Sequence, residues 1–364
     1  MERDKMKRCS KCLLPETYPN IRYNEGGVCN YCLSYTPIEY EGETRLEEFL
    51  NGYRNKGDKY DALVAVSGGR DSTFTLCELV EKYGMNVLAY NYDNGLGSPL
   101  GKTNLSSALE ALDMDLVTFK HDQTKYFKNN LRALLRRFSP AMVPTLCLGC
   151  RYGIVGGAFK IAKKHHIPLV IFSSSHLEKS HFKNEFFKMK HNKKILGMFA
   201  EAINNKSYFR PQFIPMYIKD YFHDDSHVHP LSPVLKFLYG KVHIIEYFDF
   251  IEWDEEKIIN TITAKVGWKK KKGEKSSWHL DCLVHPLKDY FYLKSVGFTE
   301  RDDLLSNLIQ ENVIERETAF KKLLDEYDNK MENIEDNVLE IGEEIGLEKS
   351  VLKKLKNFGE FGYK

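Results

Sequence analysis

The feature that most limits the fold is Ser67-Gly68-Gly69-Arg70-Asp71-Ser72. It lies between the apolar run Ala62-Leu63-Val64-Ala65-Val66 and a helix-length stretch from Ser72 to Tyr83. A strand that leaves through two glycines and enters a helix brings backbone N–H groups close to an anion, with no Cβ in the way. The helix start adds unpaired donors and the positive end of its dipole. Ser67 and Ser72 add hydroxyls, Arg70 adds charge, and Asp71 is suited to hold Mg2+ or to orient the loop. The spacing is not that of the Gly-x4-Gly-Lys-Ser/Thr phosphate loop.

Around this loop, apolar strands alternate with amphipathic runs. Val87-Leu88-Ala89-Tyr90, Leu116-Val117-Thr118-Phe119 and Pro168-Leu169-Val170-Ile171-Phe172 read as further strands, with helices over 106–112 and 151–165. This predicts an α/β fold with a parallel sheet covered on both faces. A nucleotide then belongs at the C-terminal edge of the strands, where Val66 and the polar end of the second strand, with Tyr92 and Asp93, join the loop as expected contacts. The chain divides into a cysteine segment (1–40), the phosphate-loop domain (41–180), an irregular aromatic-, Lys- and His-rich region (181–253) suited to form a substrate wall or a subunit contact, and a helical C-terminal region (254–364). In the last, 288–296, 301–310 and 315–328 read as helices, and the charged final stretch as a peripheral helix pair.

At 364 residues, with 42% apolar and 29% charged side chains, the chain has the balance of a soluble globular enzyme. A formal net charge of +2 gives no global field for nucleic acid. The runs Lys269 to Lys272 and Lys188 to Lys194 read as solvated loops, with a phosphate-contacting patch as the alternative. No apolar signal core and no membrane-length apolar run stands in the sequence, so a cytoplasmic location with reduced thiols is expected. The eight cysteines then point to metal sites instead of disulfides.

Cys9-x2-Cys12 and Cys29-x2-Cys32, with residues 13–28 between the pairs, have the spacing of a tetrahedral thiolate Zn2+ site of structural type. So polar a segment is expected to need its metal to fold. Cys147-Leu148-Gly149-Cys150 precedes a helix, and Cys282 follows far along the chain. Three readings compete for these: buried stabilising cysteines, a catalytic pair carrying a persulfide or transient disulfide, and a three-cysteine [4Fe-4S] site with one iron open. Cys77 falls inside a helix and reads as core. His165-His166 reads as a helix end. His223, His227 and His229 read as a polar loop cluster with metal binding as the alternative, His176 and Glu178 as candidate substrate contacts at the sheet edge, and His279 and His285 as flanks of Cys282.

The phosphate loop resembles the PP-loop, Ser-Gly-Gly-x-Asp-Ser, of the N-type ATP pyrophosphatase superfamily. That resemblance implies ATP cleavage to AMP and diphosphate through an adenylylated carbonyl oxygen. With Cys9-Ser10-Lys11-Cys12-Leu13-Leu14-Pro15 and Asn24-Glu25-Gly26-Gly27-Val28-Cys29-Asn30-Tyr31-Cys32 it also resembles the N-acetyl sugar amidotransferase family over about residues 7–175. This second resemblance implies a nucleotide-linked sugar substrate whose acetamido oxygen is replaced by ammonia in surface glycan biosynthesis. The ammonia would come from a glutaminase with a synthase-like partner. The order of Cys147, Cys150 and Cys282 is similar to that in PP-loop iron–sulfur tRNA thiolases, although a second C-terminal zinc pair and a strongly basic charge are missing.

The leading expectation is therefore a sugar amidotransferase with catalytic Asp71, Arg70, Cys147 and Cys150, and ATP held by Val66, Ser67, Gly68, Gly69, Arg70, Asp71, Ser72, Tyr92 and Asp93. Its cofactors are ATP, Mg2+ and Zn2+. The alternative is an ATP-dependent sulfur transferase acting on tRNA or a small molecule with a [4Fe-4S] cluster on Cys147, Cys150 and Cys282. A non-catalytic nucleotide-binding regulatory module is a third. Aromatic-rich stretches are compatible with a homo-oligomer contact.

Overall fold

A computed structural model describes residues 6–186, 194–208, 210–211, 242–271, 277–332 and 334–359. Five parallel strands form one sheet: β1 (Ala62–Ala65), β2 (Val87–Asp93), β3 (Leu116–Lys120), β4 (Leu169–Phe172) and β5 (His243–Glu246), in the order β3-β2-β1-β4-β5. The fold is thus the α/β architecture expected. β5 lies in the stretch read as irregular. Only four residues long and bounded by His243 and Glu246, it gives too little apolar run to be found by pattern.

Because side chains alternate across a strand, the sheet divides its residues between two cores. Ala62, Val64, Val87, Ala89, Leu169 and Ile171 face one, and Leu63, Leu88, Tyr90 and Val170 the other. Helix α1 (Glu43–Asn51) precedes the sheet, α2 (Arg70–Cys77) follows β1, and α3 (Pro99–Ala111) follows β2. After β3 comes α4 (Thr124–Arg136), then α5 (Leu148–Lys164), which covers the second face. Close approach explains two glycines there: a Cβ on Gly153 would lie 1.8 Å from the Tyr92 ring, and one on Gly157 would lie 2.1 Å from the Tyr90 hydroxyl. Helix α4 was not read from the sequence. Its apolar side, Tyr126, Phe127, Leu131 and Leu134, has the helical period that could have found it.

The C-terminal region is helical: α6 (Glu255–Val266), α7 (Val284–Ser295), α8 (Glu300–Gln310), α9 (Arg316–Glu332), α10 (Ile334–Glu344) and α11 (Lys349–Lys356). The last two are not peripheral. They bury Val338, Val351 and Leu355, and the Tyr290 hydroxyl of α7 donates to the Leu355 carbonyl at 2.6 Å. Cys77 is fully buried, and His165 and His166 end α5. The N-terminal segment packs into the main core through Leu13, Leu14 and Tyr18. Its few apolar side chains are thus completed by α8 and α9 rather than by a core of its own. No described helix is long and apolar enough to cross a membrane.

Candidate functional site

The loop after β1 is a tight turn wedged against α3. Gly68 has φ +80°, and a Cβ there would lie 1.9 Å from the Gly101 carbonyl oxygen, so only glycine fits. The Gly68 carbonyl accepts the Trp268 indole N–H at 3.1 Å. The Gly69 N–H donates to Ser67 Oγ at 3.2 Å, and Ser67 Oγ lies 3.2 Å from Ser72 Oγ. Gly69 caps α2 without a side chain, so the first N–H groups of that helix face the loop. Val66 is buried, its backbone tied to Tyr90 and to the Asn91 side chain.

Arg70 does not point into the loop. Only 4% exposed, it forks onto Asp71 (3.1 and 3.0 Å), donates to Glu255 (2.9 Å) and Ser277 (2.7 Å), and lies 3.7 Å from Glu178. Its guanidinium stacks over Trp253, 4.7 Å from the ring centroid, and the Trp253 N–H donates to Asp71 at 2.9 Å. The charge expected at a phosphate is thus committed to carboxylates, and its structural effect is to orient Asp71. Burial and the neighbouring Asp71 push the Glu178 carboxyl well above its ordinary range, against the pull of Arg70. Burial also works against the charge on Glu255, but Arg301, Arg70 and Lys322 outweigh it and hold that carboxyl well below the ordinary range.

Across from the loop runs the segment 277–283, whose roles the sequence reading mostly missed. A Cβ on Gly69 would lie 3.2 Å from the Asp281 carboxylate and 3.1 Å from Ser67 Oγ. The surrounding protein raises the Asp281 carboxyl, offset in part by Ser67. The Asp281 carbonyl accepts the Ser98 N–H at 2.9 Å, the Leu283 N–H donates to Leu96 at 3.0 Å, and Cys282 bridges to Gly97. Cys282 is thereby set beside Cys147 and Cys150. Desolvation raises both Cys150 and Cys282; Cys282 and Cys147 add to the rise at Cys150, and Cys147 adds to that at Cys282. Asn94 Nδ2 donates to Cys150 Sγ at 2.9 Å. Near Cys147, Lys183 and Lys288 both pair with Glu300, at 2.8 and 2.7 Å.

The three sulfurs of this group do not all lie within 4.8 Å of one another, whereas those of Cys9, Cys12, Cys29 and Cys32 do. In the quartet, Cys9 and Cys32 are 3.9 Å apart and Cys12 and Cys29 3.8 Å. A tetrahedron of thiolates around one ion at about 2.3 Å has edges of about 3.8 Å, so the quartet is closed around a space for a single ion. Three thiols from two segments, set wider, suit a larger group such as a cluster. The quartet is gripped from the helical region: Gln310 donates to Cys32 Sγ at 3.1 Å, and Arg316 donates to the carbonyls of Cys9 and Cys12. The Cys9 thiol is driven far below its ordinary range, first by the Cys12 thiol and then by Cys29 and Cys32.

Other expected residues are placed differently. The Tyr92 hydroxyl accepts from Gln123 at 3.0 Å, and its ring fills the gap at Gly153, turned toward α5. Asp93 accepts the Gly95 N–H at 3.1 Å, within its own turn. His176 meets Asp249 at 2.7 Å, while His279 packs edge-on against His285. His223, His227 and His229, and all of Lys188 to Lys194 except Lys194, lie outside the described residues.

No family model matches the chain. Over 168 residues it is 29% identical to an uncharacterized protein of Methanocaldococcus jannaschii, a stretch that is 45% of this chain and 57% of that protein. The chain thus spans little more than half the length of the curated relative it matches. Among solved structures it is similar to the U34-tRNA thiolase NcsA from Methanococcus maripaludis with its [4Fe-4S] cluster, at 13% identity and a TM-score of 0.33, over 98% of this chain and 99% of that one.

Proposed function

We propose that the chain is an ATP-dependent enzyme that adenylylates a carbonyl or amide oxygen, releases diphosphate, and replaces that oxygen with sulfur. The observation that supports sulfur is the convergence of Cys147, Cys150 and Cys282 beside the loop, with Cys282 one peptide from Asp281. The loop N–H groups, Ser67 and Ser72 would hold the phosphates. Asp71, oriented by Arg70 and Trp253, and Asp281 would face Mg2+. The acceptor oxygen attacks the α-phosphorus and expels diphosphate; AMP later leaves with that oxygen as a hydrosulfide-level sulfur takes its place. A [4Fe-4S] cluster held by the three cysteines would supply sulfide-binding chemistry there. Zn2+ would fill the N-terminal quartet, holding the knuckle against α8 and α9.

The sequence resemblance around Cys9 to Cys32 and the PP-loop favours a second reading: ammonia-dependent conversion of an acetamido group on a nucleotide-linked N-acetyl sugar, with a glutaminase partner. The two readings differ only in the incoming atom. Anaerobically purified protein, given ATP and candidate acceptors (tRNA, or a UDP-linked N-acetyl sugar with ammonia or sulfide), should release AMP and diphosphate and yield a product heavier by the difference between sulfur and oxygen. A product carrying nitrogen would select the second reading. Release of ADP would overturn both.

A further inference from the structure

Asn94 follows β2 and is buried, with its carboxamide fixed at both ends. Its Oδ1 accepts the Leu96 backbone N–H at 2.8 Å. A backbone N–H can meet only the oxygen of a carboxamide, so the amino group must be the end turned to Cys150. Nδ2 lies 2.9 Å from Cys150 Sγ, close for an N–H···S contact. The Asn94 carbonyl accepts the Gln123 N–H at 2.9 Å, which ties the turn to the start of α4. The same turn holds the second thiol segment through its backbone, by the Leu283 to Leu96 hydrogen bond and the Gly97–Cys282 bridge. Residues 94–97 thus grip both cysteine-bearing segments, one through a side chain and the other through the main chain.

Closing the turn needs only an acceptor for Leu96, which an aspartate would also supply. The donor to sulfur is what the carboxamide adds. We propose that Asn94 is a positioning residue for the sulfur chemistry: its N–H···S hydrogen bond aims the Cys150 sulfur into the space between the three cysteines and draws electron density from it. An iron–sulfur group bound there is then easier to reduce, because hydrogen bonds to ligand sulfurs raise the potential and outer partners orient the ligands. This inference rests on the sulfur reading above.

Asn94→Asp keeps the acceptor for Leu96 and removes the donor, and Asn94→Leu removes both at similar volume. Wild type and variants, reconstituted anaerobically with iron and sulfide, are compared by redox titration followed by absorbance, with iron content measured alongside. Both variants are expected to bind iron and to titrate at a more negative potential, Asp further than Leu because of its charge. If the Leu variant does not fold, Asn94→Ala, which removes the donor without adding charge, decides by the same sign. A variant with full iron content and the wild-type potential overturns the role of Asn94 alone. Absence of any iron–sulfur absorbance in the reconstituted wild type overturns the sulfur reading, and this role with it.

Discussion

Asp281 and Cys282 share a peptide bond and face the two halves of the site. The Asp281 carboxylate closes on Gly69 of the phosphate loop, while Cys282 is set by Gly97 beside Cys147 and Cys150. Substitutions one residue apart should therefore separate activation from sulfur handling. Asp281→Asn is expected to slow AMP formation by about 10- to 100-fold, as loss of a supporting polar partner commonly does, while iron binding persists. Cys282→Ser should lose the iron–sulfur absorbance while ATP still raises the melting temperature. Loss of both properties in both variants would show that the segment is merely structural.

Arg70 carries the second prediction. It is nearly inaccessible and balances Asp71, Glu178 and Glu255, so its removal leaves Asp71 and Glu178 without the counter-charge it supplies, while Glu255 keeps Lys322. Breaking such a pair from one side costs about 3–5 kcal/mol. Arg70→Met should lower stability by that order in denaturant titration. Arg70→Lys should not restore it, because an ammonium cannot reproduce the fork onto Asp71 or the stack on Trp253. If the Lys variant matched the wild type in both stability and AMP formation, the orienting role would be wrong.

Gly68→Ala tests the loop backbone. The left-handed conformation alone costs about 1–2 kcal/mol for an alanine, and the 1.9 Å approach to the Gly101 carbonyl must also be relieved. The loop has to move away from α3, so ATP-induced thermal stabilisation should vanish even where the variant folds. An unchanged thermal shift would mean that the nucleotide does not bind on this loop.

Four of the five strands, the loop and the cysteine quartet were legible because each is local. Apolar runs mark the three inner strands and the edge strand β3, two glycines mark the turn, and Cys-x2-Cys pairs mark the knuckle. What sequence could not supply was partnership across the chain. Arg70 reads as a phosphate ligand when only its neighbours are known, and its true partners, Glu255 and Ser277, lie far along the sequence. Asp281 gave no signal of its own beyond standing next to a cysteine. The polar helix α8 was found, but not that its buried Asp302 and Asp303 and its half-buried Gln310 grip the N-terminal segment.

That grip predicts how metal loss spreads. Each sulfur of the quartet is within 4.8 Å of the others, so without an ion the four thiols crowd one another. Cys9→Ser, or strong chelation, should release about one equivalent of zinc and expose the segment before α1 to proteases. The loss should also loosen α8, through Gln310, Arg8–Asp302 and Tyr18–Asp303. Hydrogen exchange should show α8 deprotected while β1 and β2 remain slow. Protection of α8 unchanged on zinc loss would limit the metal to a local role.

Asp303 gives the chain a stability that depends on pH. Burial pushes its carboxyl up to about 8, although the Tyr18 hydroxyl that donates to it at 2.7 Å pulls the other way. In the unfolded chain the group titrates near about 3.9. Between these values the folded state holds a proton that the unfolded state has lost, so stability falls as pH rises from about 4 and levels off above about 8. The total is on the order of 5 kcal/mol. Asp303→Asn keeps an acceptor for Tyr18 and removes the titration. It should resemble the wild type near pH 4.5, become the more stable of the two by pH 7, and hold a constant advantage above about pH 8.5. Urea midpoints of both proteins across that range measure the difference, and a gap that did not widen with pH would mean that Asp303 is already ionised in the fold.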